Sequence, residues 1–157
     1  MTEPTGSMQA VLRRHRRVAI DSNLLIYLME GDPQRADAVA TLVDAVAEGE
    51  VVGILATIGL AEALVGPARL DDGAGFEQAA ATIRDLGFEV VPLDAASAED
   101  AAWIRGRSGL SLPDAMHLAC ARVAGATVFV TNDRRITSRP GLDVAFLDDL
   151  LAGDGTP

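Results

Sequence analysis

Four acidic side chains stand where the chain otherwise asks to be buried. Asp21 follows the apolar run Val18-Ala19-Ile20, and Glu62 lies inside TIGLAEALV. Asp114 lies in LPDAMHLACA, and Asp133 ends VFVTND. An ionised carboxylate in apolar surroundings is costly unless a positive partner pairs with it. Two carboxylates about 4 Å apart repel by about 1 kcal/mol in water and by about 4 kcal/mol at an effective dielectric of 20. Several such pairs weigh heavily against a domain stability of about 5–15 kcal/mol. Either some of the acids hold protons, or a cation sits among them. Oxygen ligands select a hard cation, and the chain has neither a Cys cluster nor paired His for zinc. Mg²⁺ or Mn²⁺ fits, with water and substrate phosphate completing the shell. Such an ion polarises a phosphoryl group and activates water for in-line attack. Taken singly, an Asp after a strand is most simply a helix cap; four together are harder to explain that way.

The elements that must position these acids follow from hydrophobic period and punctuation. Short apolar runs at 18–21, 51–55, 89–92, 126–130 and 143–146 read as strands. Helical patterns cover about 23–29, 33–48, 57–65, 75–86, 97–105 and 113–123. Pro33 is expected to open the second helix and Gly66-Pro67 to stop the third, while Pro113 suits the first turn of another. Alternation of this kind predicts an α/β domain whose mainly parallel sheet is covered on both faces. In such sheets ligands collect beyond the carboxyl ends of the strands. Asp21 and Asp133 both follow strands, so they fall on that edge if their strands are parallel. Glu62, a turn into its helix, can reach back to it.

The 157 residues fit one domain, and 49% of them are apolar, enough for a real core. No run is long enough to span a membrane. The N-terminus lacks the apolar stretch of a secretory signal. Cys120 is the single cysteine, which excludes a disulfide framework and points to a reducing cytoplasm. The net charge of −10 argues against gripping nucleic acid by bulk charge. All 13 basic residues are Arg. Arg suits bidentate phosphate contacts, although GC-rich coding is the simpler cause.

The order DSN, then AEAL, then LPDAMHLACA, then VFVTNDRR closely resembles the PIN domain, and more narrowly the VapC toxins of bacterial toxin–antitoxin pairs. The resemblance runs from about Val18 to Phe146. It implies a three-layer α/β/α PIN-like domain over residues 13–151, with a disordered lead at 1–12 and a flexible tail at 152–157. It implies a Mg²⁺- or Mn²⁺-dependent endoribonuclease whose catalytic and metal-binding residues are Asp21, Glu62, Asp114 and Asp133. Asn23 matches a small polar position that orients a ligand or holds its water. Thr131 matches a hydroxyl near metal water or phosphate. The partners implied are an RNA substrate, a cognate antitoxin lying across the active groove, and a second copy of the chain.

Other residues keep two readings. Arg134 and Arg135 steer RNA phosphate or form a solvated face, and the run Arg13 to Arg17 is a solvated lead-in or a phosphate-contacting arm. His117, one turn after Asp114, is a proton donor or, more plainly, a packing residue. Trp103 and Tyr27 read as core or interface. The apolar stripe of the second helix exceeds what the core needs if a partner covers it. A receiver-type phosphorylation domain would need a Lys, which is absent, and a haloacid-dehalogenase-like phosphatase would need an acid where Asn23 stands. The remaining alternative is a catalytically silent PIN-like module that binds RNA or a protein partner.

Overall fold

The computed structural model describes residues 6–70 and 72–151. Five strands form one sheet: β1 (Arg17–Ile20), β2 (Val52–Ala56), β3 (Glu89–Val91), β4 (Val128–Thr131) and β5 (Asp143–Phe146). Their order is β3-β2-β1-β4-β5, and every neighbouring pair is parallel. Among the described residues eight helices connect and cover them: α1 (Met8–Arg14), α2 (Ser22–Glu30), α3 (Ala36–Ala47), α4 (Thr57–Arg69), α5 (Gly73–Asp85), α6 (Ala95–Ser108), α7 (Leu112–Val123) and α8 (Leu147–Leu151).

The expected three layers follow from the two-residue period of buried strands. Val18, Ile20, Leu55, Val128 and Val130 face one core, where they meet Met8, Leu24, Leu25, Val39 and Leu42 of α1, α2 and α3. Ala19, Ile54 and Phe129 face the other, against Ile104 of α6 and Ala115, Leu118 and Ala119 of α7. The small residues of α7 let that helix lie close on the sheet. The apolar stripe of α3 is used by the first core: Ala38, Val39, Leu42 and Ala45 are buried there, and Val43 and Val46 pack on it. Trp103, by contrast, is exposed, with the Arg107 guanidinium 4.5 Å over its ring.

Three sequence expectations need correction. The lead expected to be disordered through residue 12 is helical from Met8, where Ser7 caps α1 by accepting from Ala10 N, and Met8 and Val11 enter the core. Residues 1–5 and the tail at 152–157 lie outside the described residues. The second long helix begins at Ala36 rather than Pro33, because Asp32 Oδ1 accepts from both Gln34 N and Arg35 N and holds a turn there. Finally, α4 runs through Pro67 to Arg69. Gly66 lacks the Cβ that proline's ring would crowd, so the helix continues for a last turn. Among the described residues, no helix is long and apolar enough to cross a membrane.

Candidate active site

Register brings the acids to one edge. Ile20 pairs with Leu55 on β2 and Val130 on β4, so the residues that follow emerge side by side at the carboxyl end of the sheet. Asp21 N donates to Val130 O (3.0 Å), carrying the ladder one rung beyond β1. Asp21 then caps α2, where its carboxylate also benefits from the helix N-terminus. Its side chain is held at both oxygens. Ser22 N donates to Oδ1 at 2.8 Å, and the Thr131 hydroxyl donates to Oδ2 at 2.7 Å. Thr131 is fully buried and its oxygen in turn accepts from Asp133 N (3.0 Å), so one hydroxyl ties the first acid to the last.

Glu62 comes from the second turn of α4 and meets His117 of α7, with Nε2 and Oε1 2.6 Å apart. The same Nε2 lies 3.6 Å from Asp21 Oδ1. The Ser22 hydroxyl donates to Glu62 Oε1 at 3.3 Å. Close approach of α4 and α7 depends on Gly59, where a Cβ would stand 2.8 Å from Leu55 Cδ1 and 2.9 Å from His117 Cε1. The imidazole is only 2% exposed, and it packs beside Phe129. Burial pulls its pKa down. The hydrogen bond to Glu62 and the charges of Asp21, Glu62 and Asp114 outweigh that, so the pKa lies above the ordinary histidine value. The hydrogen bond from His117 holds Glu62 below the usual carboxylate range, against a smaller opposing effect of burial.

Asp114 lies in the first turn of α7, where Ser111 Oγ accepts from its backbone N. It sits one turn before His117, on the side of Arg135, whose Nη2 is 3.7 Å from Asp114 Oδ2. Arg135 also clasps Asp133. Nε donates to Oδ1 at 2.9 Å and Nη2 to Oδ2 at 2.6 Å. That grip lowers the Asp133 pKa.

The four acids therefore share one edge in two groupings. Asp21 and Glu62 gather with His117, with ligand atoms all within 4.8 Å of one another, the one such cation-sized group among the described residues. Asp114 and Asp133 are joined through Arg135. The donors suit a divalent ion: carboxylate oxygens and one imidazole nitrogen. Asn23 Oδ1, two residues after Asp21, is buried and has no hydrogen-bond partner among the described residues, which suits a site completed by bound water.

The structure gives several residues roles that the sequence left open. His117 is a member of the acid cluster rather than a packing residue alone; its spacing of three from Asp114 was the available signal. Ser22 and Gly59 carried none. Thr131 spends its hydroxyl inside the protein. Arg134 pairs with Asp149 (2.7 and 2.9 Å) and lies over the Phe146 ring, so it is engaged with α8 and β5, whereas Arg135 reaches the acids. The basic run sits at the opposite end of β1 from Asp21, where Arg16 and Arg17 donate to the Glu50 and Ala124 carbonyls, so it is no arm for phosphate at this site. Beside Glu62, an apolar groove between α2 and α4 is lined by Ile26, Met29, Ala63, Pro67 and Leu70.

A family model for the PIN domain matches residues 18–142. No match was found among curated proteins. Among solved structures, VapBC2 from Rickettsia felis, bound to a DNA fragment from its promoter, is similar at TM-score 0.67 and 16% identity, covering 83% of this chain and 98% of that one. DNA-bound VapBC from Salmonella typhimurium is similar at 0.62 and 19%, covering 83% and 98%. VapC20 of Mycobacterium tuberculosis, described as a sarcin–ricin loop cleaving toxin, is similar at 0.55 and 19%, covering 71% and 86%. At these identities the likeness is one of fold.

Proposed function

The chain belongs to the PIN-domain family, and from that premise we propose that it is a Mg²⁺- or Mn²⁺-dependent endoribonuclease, the toxin of a VapBC-type toxin–antitoxin pair. The observation that carries the reading is the buried Asp21 carboxylate, set 3.6 Å from the His117 nitrogen that also meets Glu62, at the edge where Asp114 and Asp133 emerge. Asp21, Glu62, Asp114 and Asp133 would hold the ion, with His117 beside them and Asn23 receiving a bound water. When bound, the ion polarises a phosphodiester and lowers the pKa of water.

The remaining work belongs to the protein. Thr131 and Ser22 N fix the Asp21 carboxylate, so it does not rotate away as charge builds at the phosphate. His117 holds Glu62 in place and offsets part of the negative charge while the acids are close together. An overall charge of −10 repels RNA at long range, so recruitment of substrate rests on the cation and on Arg135 at the rim. The similar structures include toxin–antitoxin complexes and a sarcin–ricin loop cleaving toxin, which supports RNA as substrate and an antitoxin as partner. The apolar groove beside Glu62 is a suitable seat for an antitoxin segment. A homodimer in a cytoplasmic setting completes the reading.

The test is cleavage of ribosomal RNA and synthetic hairpins by the purified chain with Mn²⁺, with EDTA, and as Asp21→Asn. The expected result is cutting by the wild type with Mn²⁺ alone. Equal cutting by wild type and Asp21→Asn overturns the nuclease reading, and RNA binding without cutting favours the silent module.

A further inference from the structure

Resting on the reading that these acids hold a divalent cation, we propose that Arg135 is an internal counter-ion whose guanidinium takes the cation's place between Asp133 and Asp114 and must leave before both acids can close on an ion. Its fork meets both oxygens of Asp133 while Nη2 also lies 3.7 Å from Asp114, so one charged group bridges acids from two elements, the end of β4 and the start of α7. Asp114 and Asp133 are two of the acids that would hold the ion, so guanidinium and ion would compete for the same carboxylate oxygens.

Two observations separate this from an ordinary surface ion pair, and a third makes it displaceable. First, the neighbouring Arg134 is paired with Asp149 on α8, so two consecutive guanidinium groups serve different partners and only Arg135 reaches the acids of the site. Second, Arg135 N also donates to Asp133 Oδ1 at 3.0 Å, so backbone and side chain together form a closed clasp on one carboxylate. Third, the Arg135 side chain is 73% exposed. Among the described residues it is held by Asp133 and Asp114. Exposed pairs of this kind are weak, which makes the clasp displaceable by a doubly charged ion. Once displaced, the fork remains tethered at the mouth of the site, where its planar donors match phosphate oxygens.

The experiment is Mn²⁺ titration of the full chain, with free Mn²⁺ read by electron paramagnetic resonance. The variants are Arg135→Gln, Arg135→Lys, Arg134→Gln and Asp21→Asn, each checked for folding by circular dichroism. Arg135→Gln is expected to bind Mn²⁺ about five- to tenfold tighter than wild type. Arg135→Lys, which keeps the charge but loses the fork, is expected to fall between them. Arg134→Gln is expected to stay within about twofold of wild type, because its charge is used elsewhere. Equal or weaker binding by Arg135→Gln overturns the assignment, as does equal tightening by Arg134→Gln, which would mark a general charge effect. Loss of binding in Asp21→Asn alongside equal affinities for wild type and Arg135→Gln leaves the cation reading standing and sinks only the counter-ion. Absence of Mn²⁺ binding in wild type and Arg135→Gln alike sinks both.

Discussion

The two ends of the sheet handle charge in opposite ways. At the amino end, Arg17 spans the Ala124 carbonyl and Glu89. Arg16 donates to the Glu50 carbonyl, and His15 shares a hydrogen bond with Thr127 and lies 3.7 Å from Asp143. Unlike charges and dipoles meet there, and the residues close the structure. At the carboxyl end, four carboxylates face one imidazole and one guanidinium, and a buried Asn oxygen has no partner among the described residues. Proteins accept such an imbalance where a ligand corrects it. One edge is closed by its own pairs, and the other carries the acids that the proposed function would use.

Substitutions at the two ends should therefore separate activity from stability. The largest effect is expected for Asp114→Asn: RNA cleavage should fall by about 100-fold or more, while the cation-free melting temperature holds or rises because like charges are fewer. Parallel cleavage assays and calorimetry in EDTA check this, and a large loss of stability would make Asp114 structural. Next, Gly59→Ala should cost about 1–3 kcal/mol, because the new methyl would stand 2.8 Å from Leu55 Cδ1 and 2.9 Å from His117 Cε1 and force the buried imidazole to shift. Urea unfolding measures that loss, and weaker Mn²⁺ binding should accompany it as Glu62 and His117 part.

A pH series sharpens the contrast further. His117 is raised from 6.5, so its stabilising contribution is complete below the unfolded value and is lost as pH rises through the higher folded one. Glu62 is lowered from 4.5, so its contribution is present above that value and lost as pH falls through the lower folded one. In EDTA the pair should give greatest stability between about pH 4.5 and 6.5, with an alkaline decline that Glu62→Gln flattens. Urea midpoints across pH test it. The smallest effect belongs to the amino end. Arg17→Gln breaks a half-exposed pair and should cost less than about 1 kcal/mol, with the melting-temperature rise on adding Mn²⁺ unchanged.

Much of this arrangement was legible in the residues. Strand–acid junctions at Asp21 and Asp133 locate the edge when taken together with the other two acids, although each alone reads as a helix cap. The parallel three-layer fold follows from the alternation of short strands and helices. What stayed hidden depends on contacts between distant segments. The His117–Glu62 pair spans 55 positions, and no periodicity encodes a 2.6 Å approach across two helices. Arg134 and Arg135 are chemically identical neighbours, and only the placement of Asp149 on α8 separates them. The first helix escaped notice because its few apolar residues precede a run of arginines, and burial of Met8 is decided by α3 and α8 rather than by its own neighbours.

The Thr131 hydroxyl, donating to Asp21 and accepting from the amide of Asp133, sits where two adjacent strands finish. Parallel strands lie about 4.8 Å apart, so the distance between the ends of β1 and β4, from which Asp21 and Asp133 leave, is inherited from the ladder's rungs. Parting the two strand ends therefore requires the Asp21 amide to release Val130, and slow amide exchange at Asp21 would report how firmly this corner is held.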